Sequence, residues 1–227
     1  MAGRRRVASR SRWLFYSASL LLAALVIAPQ FLAAYSYIGA VEASVISTLA
    51  LSFLFSSMVV SYLLMKRRSL RGIIGELGLS MDRLTPINLL YGVAMFLSYL
   101  AMILIIAAAS SLLGLNLSSN VAQTLHGFPL YALAFAALIA PINEEILFRG
   151  FMVPRIGIVL SALVFSLFHL SYGSWIEFGA TLWFGLVAGY AFKRTRSLYP
   201  SILTHMLVNT LTVILLVYGG ALAMAVL

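Results

Sequence analysis

The most constraining feature of this sequence is a set of apolar stretches long enough to cross a lipid bilayer. From Pro86 to Leu113, for example, the chain carries no charged side chain. A transmembrane helix needs about 20 apolar residues in a row, because each residue adds only about 1.5 Å of rise. Over the whole chain, 63% of the residues are hydrophobic and only 9% are charged, which is not the composition of a soluble domain. The sequence therefore predicts a polytopic transmembrane protein.

These stretches predict an all-α fold, a single bundle of about seven transmembrane helices. The predicted spans cover residues 13–35, 41–65, 86–113, 128–152, 156–172, 175–192 and 198–218. We expect residues 1–12 to form a basic cytoplasmic arm, residues 13–127 to hold the first three spans, and residues 219–227 to form a C-terminal tail. Residues 128–218 contain the last four spans and the polar residues that could perform chemistry.

Basic residues lie on one side of this predicted bundle. With the N-terminus in the cytoplasm, Lys and Arg lie on the cytoplasmic side or near it, whereas the outer loops around Gly39, Asn120 and Gly173 carry none. Cytoplasmic loops of membrane proteins show this bias, so the net charge of +9 indicates membrane orientation rather than nucleic-acid binding. Residues 1–35 also have the pattern of a signal peptide. We favour a retained helix, because its removal would reverse the charge asymmetry downstream.

The loop of residues 66–85 is the longest predicted cytoplasmic segment. It alternates Leu and Ile with Arg, Glu and Gly, a pattern that predicts a short amphipathic helix on the membrane surface. Its basic residues either contact anionic lipid head groups or act only as a positive topology anchor.

Three charged residues interrupt the fourth predicted span. Glu144, Glu145 and Arg149 follow an uncharged stretch and a proline, Pro141. A charge at membrane depth costs about 2.5–3.5 kcal/mol on insertion scales, so three on one helix require an explanation. Arg149 lies one helical turn after Glu145 and can pair with it, while Pro141 should kink the helix. The set is either a salt bridge at a helix end or part of an active site.

Further polar residues occur in the later predicted spans. His169 lies in the fifth span, and His205 and Asn209 share one face of the last span because they are four residues apart. Counting about 1.5 Å per residue from the cytoplasmic turns, these residues and Glu144 can occupy one layer if their helices adjoin. The chain contains no cysteine, which excludes a thiolate nucleophile and Cys-ligated metal.

Such a layer is suited to hydrolysis by activated water. A carboxylate beside a neutral imidazole can hold a water molecule and remove its proton as the water attacks a carbonyl. A second histidine and an asparagine amide can donate hydrogen bonds to the oxyanion, an effect of about 3 kcal/mol per donor. A set of two histidines and a glutamate can also hold Zn²⁺ and leave one position for water. The residues leave both mechanisms open.

The three motifs resemble the signature of the CPBP (ABI) family, which contains type II CAAX prenyl proteases and bacteriocin-processing or immunity proteins. The motifs are Glu144-Glu145-x-x-x-Arg149, Phe165-x-x-x-His169 and His205-x-x-x-Asn209. Each motif alone is weak, but all three occur in order on separate predicted spans. The resemblance implies an intramembrane endopeptidase. In eukaryotic relatives the substrate is a prenylated protein that loses its last three residues.

The resemblance also implies roles for the individual residues. Glu144 would be the base, His169 would help to activate water, and His205 and Asn209 would form the oxyanion hole. Glu145 and Arg149 would support the site. If a metal is bound, Glu144, His169 and His205 would ligate Zn²⁺.

Two readings from other classes remain open. The chain could be a bacteriocin-immunity-type membrane protein that binds without hydrolysis, or a transporter of protons or a metal ion. A transporter should carry polar residues along a path across the bilayer, and the first three predicted spans are almost free of ionisable groups. We expect a multi-pass protein of the cell membrane, if the host is prokaryotic. Its partners would be the lipid bilayer and a prenylated or other membrane-embedded peptide.

Overall fold

The computed structural model describes residues 39–66, 69–113, 127–170 and 175–226, together with Ser17, Leu21, Ala24, Ala28, Leu32 and Leu125. The predicted basic arm, and most of the first predicted span with its signal-peptide alternative, lie outside the described residues. The same holds for the outer-loop positions Asn120 and Gly173.

All secondary structure in the described part of the chain is helical. The α-helices are α1 (Ala40–Met65), α2 (Leu70–Glu76), α3 (Pro86–Leu113), α4 (Leu130–Leu138), α5 (Ala140–Glu145), α6 (Val153–His169), α7 (Trp175–Thr195) and α8 (Tyr199–Val226). A short 3₁₀-helix covers Met81–Arg83, and a π-helix covers Ile146–Met152 between α5 and α6. The predicted all-α fold is confirmed.

Five helical stretches of the described residues are long and apolar enough to cross a membrane. The longest, Leu130–His169, has 40 residues, and it folds back on itself at Gly157. There the backbone has φ 86° and ψ 172°, and the Ser161 hydroxyl on one limb donates to the Phe148 carbonyl on the other at 2.6 Å. The described part of the chain therefore has five stretches long enough to cross a membrane, one of which forms a hairpin, as in an integral, multi-pass membrane protein.

The position of this reversal corrects the predicted boundary between the fourth and fifth spans. A break was expected between residues 152 and 156, but Pro154 lies in the first turn of α6, where a missing N–H disturbs no helical hydrogen bond. Glycine alone readily adopts the backbone conformation of Gly157, so the chain turns there. The fourth predicted span is also divided, with an interruption at Ile139 close to Pro141. At the C-terminus, α8 continues to Val226 through residues expected to form a tail.

Two glycines allow the second limb of the hairpin to pack closely against α7. A Cβ atom added to Gly185 would lie 2.8 Å from Ala162 Cβ, and one added to Gly189 would lie 2.8 Å from Ile158 Cγ2. Small residues at this spacing let transmembrane helices approach closely. The contact fixes the register of His169, at the end of α6, against α7.

The predicted amphipathic segment closes the basic end of the bundle. Residues 70–76 form the expected short helix, α2, and its Ile73 together with Leu77 is buried against the end of α1. Glu76 accepts a hydrogen bond from Arg155 at 2.9 Å, which ties α2 to the segment before Gly157. The segment therefore packs onto the protein through its apolar residues and leaves Leu70 and Arg71 exposed.

Candidate active site

The two adjacent glutamates of α5 point in different directions. Successive residues of a helix are rotated by about 100°, so neighbouring carboxylates cannot share one environment. The side chain of Glu145 is fully buried, whereas that of Glu144 is 20% exposed and lines a cavity. The glutamate pair therefore places one carboxylate in the protein core and one at an internal surface.

Glu145 is held between Arg149 and His205. Arg149 Nε lies 3.2 Å from Glu145 Oε2, so the ion pair predicted from the spacing is confirmed. His205 Nδ1 lies 3.0 Å from Glu145 Oε1. A carboxylate only accepts hydrogen bonds, so Nδ1 of His205 carries the proton in this contact. Through this hydrogen bond, Glu145 on α5 orients the imidazole ring of His205 on α8.

The Arg149 guanidinium is enclosed by aromatic rings. Its Cζ lies 4.2 Å from the ring centre of Phe165, 5.0 Å from that of Phe184 and 6.0 Å from that of Phe148. Its Nη1 and Nη2 have no hydrogen-bond partner among the described residues. The rings offer their negative faces to the cation, and the Glu145 carboxylate supplies the opposite charge.

His205 and His169 approach Glu144 from two other helices. His205 Nε2 lies 3.8 Å from Glu144 Oε2, which is beyond hydrogen-bond distance. His169 Nδ1 lies 2.9 Å from the Phe165 carbonyl. Since a carbonyl oxygen only accepts, Nδ1 of His169 donates, and Nε2 is the acceptor in the neutral ring.

Asn209 connects α8 to α4. Its Nδ2 donates to the Ala136 carbonyl at 3.0 Å, close to the interruption at Ile139. The amide group has a second N–H that this bond does not use. The contact holds Asn209 at the wall of the cavity that Glu144 also lines.

The structure brings four of the predicted site residues together around one space. Glu144, His169, His205 and Asn209 all line a cavity of about 300 Å³, which we call the charged cavity. Glu144 and His169 also line an adjoining space of about 290 Å³, the hydroxyl cavity, whose wall includes Ser44, Ser47, Thr48 and Ser52 of α1. Glu145 and Arg149 line neither cavity and lie behind the site.

Sequence reasoning missed three residues at this site. Glu177 and Tyr99 line the charged cavity, and Asn143 Nδ2 donates to Ser52 Oγ at 3.0 Å, which fixes α5 against α1 beside Glu144. Glu177 could have been found, because a carboxylate within an apolar span is itself a signal of function. The Asn143 contact joins helices far apart in the chain, and no sequence pattern indicates it.

The zinc site that the resemblance implies, formed by Glu144, His169 and His205, can be compared with the positions of these side chains. Within the described residues, no group of three or more His, Asp or Glu side chains is arranged so that it could hold a metal ion. The arrangement of Glu144, His169 and His205 thus does not fit a three-ligand zinc site.

Comparison with known protein families identifies the part of the chain that contains this site. Residues 126–211 match the model described as type II CAAX prenyl endopeptidase Rce1-like. No curated protein and no solved structure matches the chain. The matched residues include all three motifs and every helix that lines the charged cavity except α1 and α3. The part of the chain that contains the site is thus similar to type II CAAX prenyl endopeptidases, which supports the resemblance to the CPBP family.

Proposed function

We propose that the protein is an intramembrane endopeptidase in which Glu144 and His169 activate a water molecule. The observation that carries this proposal is the convergence of Glu144, His169, His205 and Asn209, from three separate helices, on one cavity among apolar helices. A general acid–base pair in such a position contributes about 10²–10⁴-fold to a hydrolysis rate.

Glu144 is the better candidate for the base because Glu145 is already engaged. The Glu145 carboxylate is enclosed between Arg149 and His205, whereas Glu144 reaches the cavity. In the proposed reaction, water adds to the carbonyl carbon of the scissile amide and its proton passes to Glu144. His169 Nε2 accepts the second hydrogen bond of the water and orients it. Glu144 then returns the proton to the amine nitrogen as the C–N bond breaks.

His205 and Asn209 are suited to stabilise the tetrahedral oxyanion. A His205 ring protonated on both nitrogens would donate through Nδ1 to Glu145 and present Nε2–H to the cavity. The second N–H of Asn209 would supply another donor, while its bond to the Ala136 carbonyl keeps the amide in place. Preorganised donors of this kind are worth about 3 kcal/mol each. This mechanism needs no metal, and the geometry of the described residues favours it.

The proposed substrate class is a membrane-embedded peptide, with prenylated CAAX peptides as the first to test because the family match names that activity. The assay is release of the C-terminal tripeptide from a farnesylated CAAX peptide by purified protein in lipid nanodiscs, detected by mass spectrometry. Glu144→Gln should lower the rate by at least about 10²-fold. Asp82→Asn, which changes an exposed carboxylate at the basic end, is the matched control and should leave the rate unchanged.

Each variant is assayed with and without a chelator. A rate that persists in the chelator supports the metal-free mechanism, and a rate that is lost and then restored by Zn²⁺ contradicts it. If folded wild-type protein cleaves neither a prenylated nor an unprenylated membrane peptide, the endopeptidase proposal is wrong.

A further inference from the structure

A third carboxylate, Glu177, lines the charged cavity and has no part in the chemistry proposed above. It lies in the first turn of α7, and the cavity wall includes it together with Glu144, His169 and Tyr99. A carboxylate in an apolar bundle is costly, so its place beside the reaction centre calls for a function.

The packing of α6 on α7 puts Glu177 at the same depth as the catalytic residues. Ala162 contacts Gly185 where the two helices cross, since a Cβ added there would lie 2.8 Å away. From this contact α6 rises about 10 Å to His169, and the antiparallel α7 rises about 12 Å to Glu177. An extended peptide advances about 3.3 Å per residue. Because Glu177, Glu144 and His169 also line one cavity of about 300 Å³, a substrate that places its scissile bond at Glu144 and His169 can place a neighbouring residue near Glu177.

The charges that face the charged cavity are unbalanced. Glu144 and Glu177 line it, and among the described residues the basic side chains in its wall are His169 and His205, with no Lys or Arg. Even with His205 charged, as in the proposed mechanism, the carboxylates in the wall outnumber the cations. Arg149 does not line the cavity; its guanidinium packs against the rings of Phe148, Phe165 and Phe184 and is paired with Glu145. A substrate carboxylate near Glu177 would meet a like charge, whereas an ammonium or guanidinium group would gain an opposite charge and could also reach the Tyr99 ring in the cavity wall.

A simpler role for Glu177 comes from the sequence alone. Ser174 and Glu177 have the spacing of a capping box, in which a Glu or Gln stabilises the first turn of a helix. Glutamine can fill that role as well as glutamate. A Glu177→Gln variant therefore retains the capping function and removes only the charge, which makes the two roles separable by experiment.

We propose that Glu177 determines specificity, by selecting substrates that carry a basic side chain within two residues of the scissile bond. This inference rests on the proposed endopeptidase function and deepens it. It assigns the substrate class as a membrane peptide with a lysine or arginine beside the cleaved bond.

The test uses matched pairs of N-acetylated, C-amidated transmembrane peptides that contain either lysine or its uncharged isostere norleucine. The substituted position is moved through the two residues on each side of the scissile bond. For wild-type protein in nanodiscs, kcat/KM should be at least about tenfold higher for the best lysine peptide than for its norleucine partner. In Glu177→Gln this ratio should fall to about one. The matched control is Glu42→Gln, which changes a first-turn carboxylate of α1 outside the cavity wall and should preserve the ratio.

Two additional peptides identify the source of the charge. The first peptide has no lysine and carries a free amino terminus beside the cleaved bond. The second peptide has no lysine and carries a free C-terminal carboxylate beside the cleaved bond. If the free-amine peptide is cleaved faster than the lysine peptide, the preferred cation is a peptide amino terminus and not a basic side chain, which contradicts the inference. A preference for the carboxylate, a wild-type ratio near one, or an unchanged ratio in Glu177→Gln would also overturn it.

A binding measurement separates this inference from the proposed function. Fluorescence anisotropy of the same labelled peptides is measured with the Glu144→Gln protein and with the Glu144→Gln/Glu177→Gln double variant. Tighter binding of the lysine peptide only where Glu177 is present supports the inference even if no peptide is cleaved. Equal affinities for both peptides in the Glu144→Gln protein would refute it even if cleavage is observed.

Discussion

The buried ion pair between Glu145 and Arg149 should contribute far more to stability than the exposed pair between Glu76 and Arg155. In the first pair, the side chains are 0% and 1% exposed and the atoms are 3.2 Å apart. Removal of one partner leaves an uncompensated buried charge, which costs about 3–5 kcal/mol. Arg149→Met should therefore lower the free energy of unfolding by this amount. Loss of the cation–π contacts to Phe165 and Phe184 adds to the effect.

The second pair provides the matched control because its geometry is as good but its exposure is greater. Arg155 Nη2 lies 2.9 Å from Glu76 Oε1, and the side chains are 31% and 27% exposed. Such pairs are worth about 0–1 kcal/mol, so Arg155→Met should cost at most about 1 kcal/mol. The measurement is equilibrium unfolding in mixed micelles with increasing SDS, followed by far-UV circular dichroism.

A double-mutant cycle tests the cause of the larger loss. Glu145→Gln/Arg149→Met removes both charges, so its cost should be smaller than the sum of the two single costs by about 1–3 kcal/mol. Equal costs for Arg149→Met and Arg155→Met would refute the reasoning, as would strict additivity in the cycle. The double variant should stay inactive in the peptide assay, because Glu145 no longer offers His205 a carboxylate.

Three further predictions concern the backbone and the oxyanion site. Gly157→Ala should lower the free energy of unfolding by about 1–3 kcal/mol from backbone strain alone, since an added Cβ would meet no atom within 4 Å. Gly185→Ala should lower the free energy of unfolding by about 1–3 kcal/mol by overpacking against Ala162. Its control is Gly179→Ala in the same helix, which has open space around it and should be neutral or stabilising. Equal effects of the two substitutions would contradict the close helix contact. Asn209→Ala should lower kcat by about 10²–10³-fold. It should lower the free energy of unfolding by only about 1 kcal/mol, because it removes one hydrogen bond to α4. A change confined to KM would argue against an oxyanion role.

The contacts that could be predicted from the sequence are those within one helix. The spacing of Glu145 and Arg149 predicts their ion pair, and that of His205 and Asn209 predicts their common face. Apolar length alone also predicts most of the spans, because the membrane requires them. The convergence of these residues on one cavity depends on how helices far apart in the chain pack. The sequence shows that these residues could meet at one depth, but it does not show that their helices are neighbours.

Other features could not be predicted because two residues compete for one structural role. Pro154 and Gly157 are both plausible sites for a turn, and only the packed hairpin, with Phe148 and Phe165 ring centres 5.0 Å apart, selects the glycine. Glu177 is a different case, because a carboxylate in an apolar span does indicate function, but the sequence does not assign it to the cavity. It lies close to the start of an apolar span, where a charge is usually explained by the helix terminus, and its place in the cavity depends on the register of α7 against α6.

In the proposed mechanism, the adjacency of Glu144 and Glu145 allows one helix to supply two carboxylates with different tasks. A single carboxylate could not both neutralise Arg149 and accept a proton from water, since protonation would leave the buried guanidinium uncompensated. Two residues placed about 100° apart on one turn divide these tasks: Glu145 stays with Arg149 and His205, and Glu144 reaches the cavity. The π-helix that begins at Ile146, directly after this pair, is an irregularity often found at functional sites. Exchanging the roles would require rotating α5 against both α1 and α8. The bonds from Asn143 to Ser52 and from His205 to Glu145 oppose such a rotation.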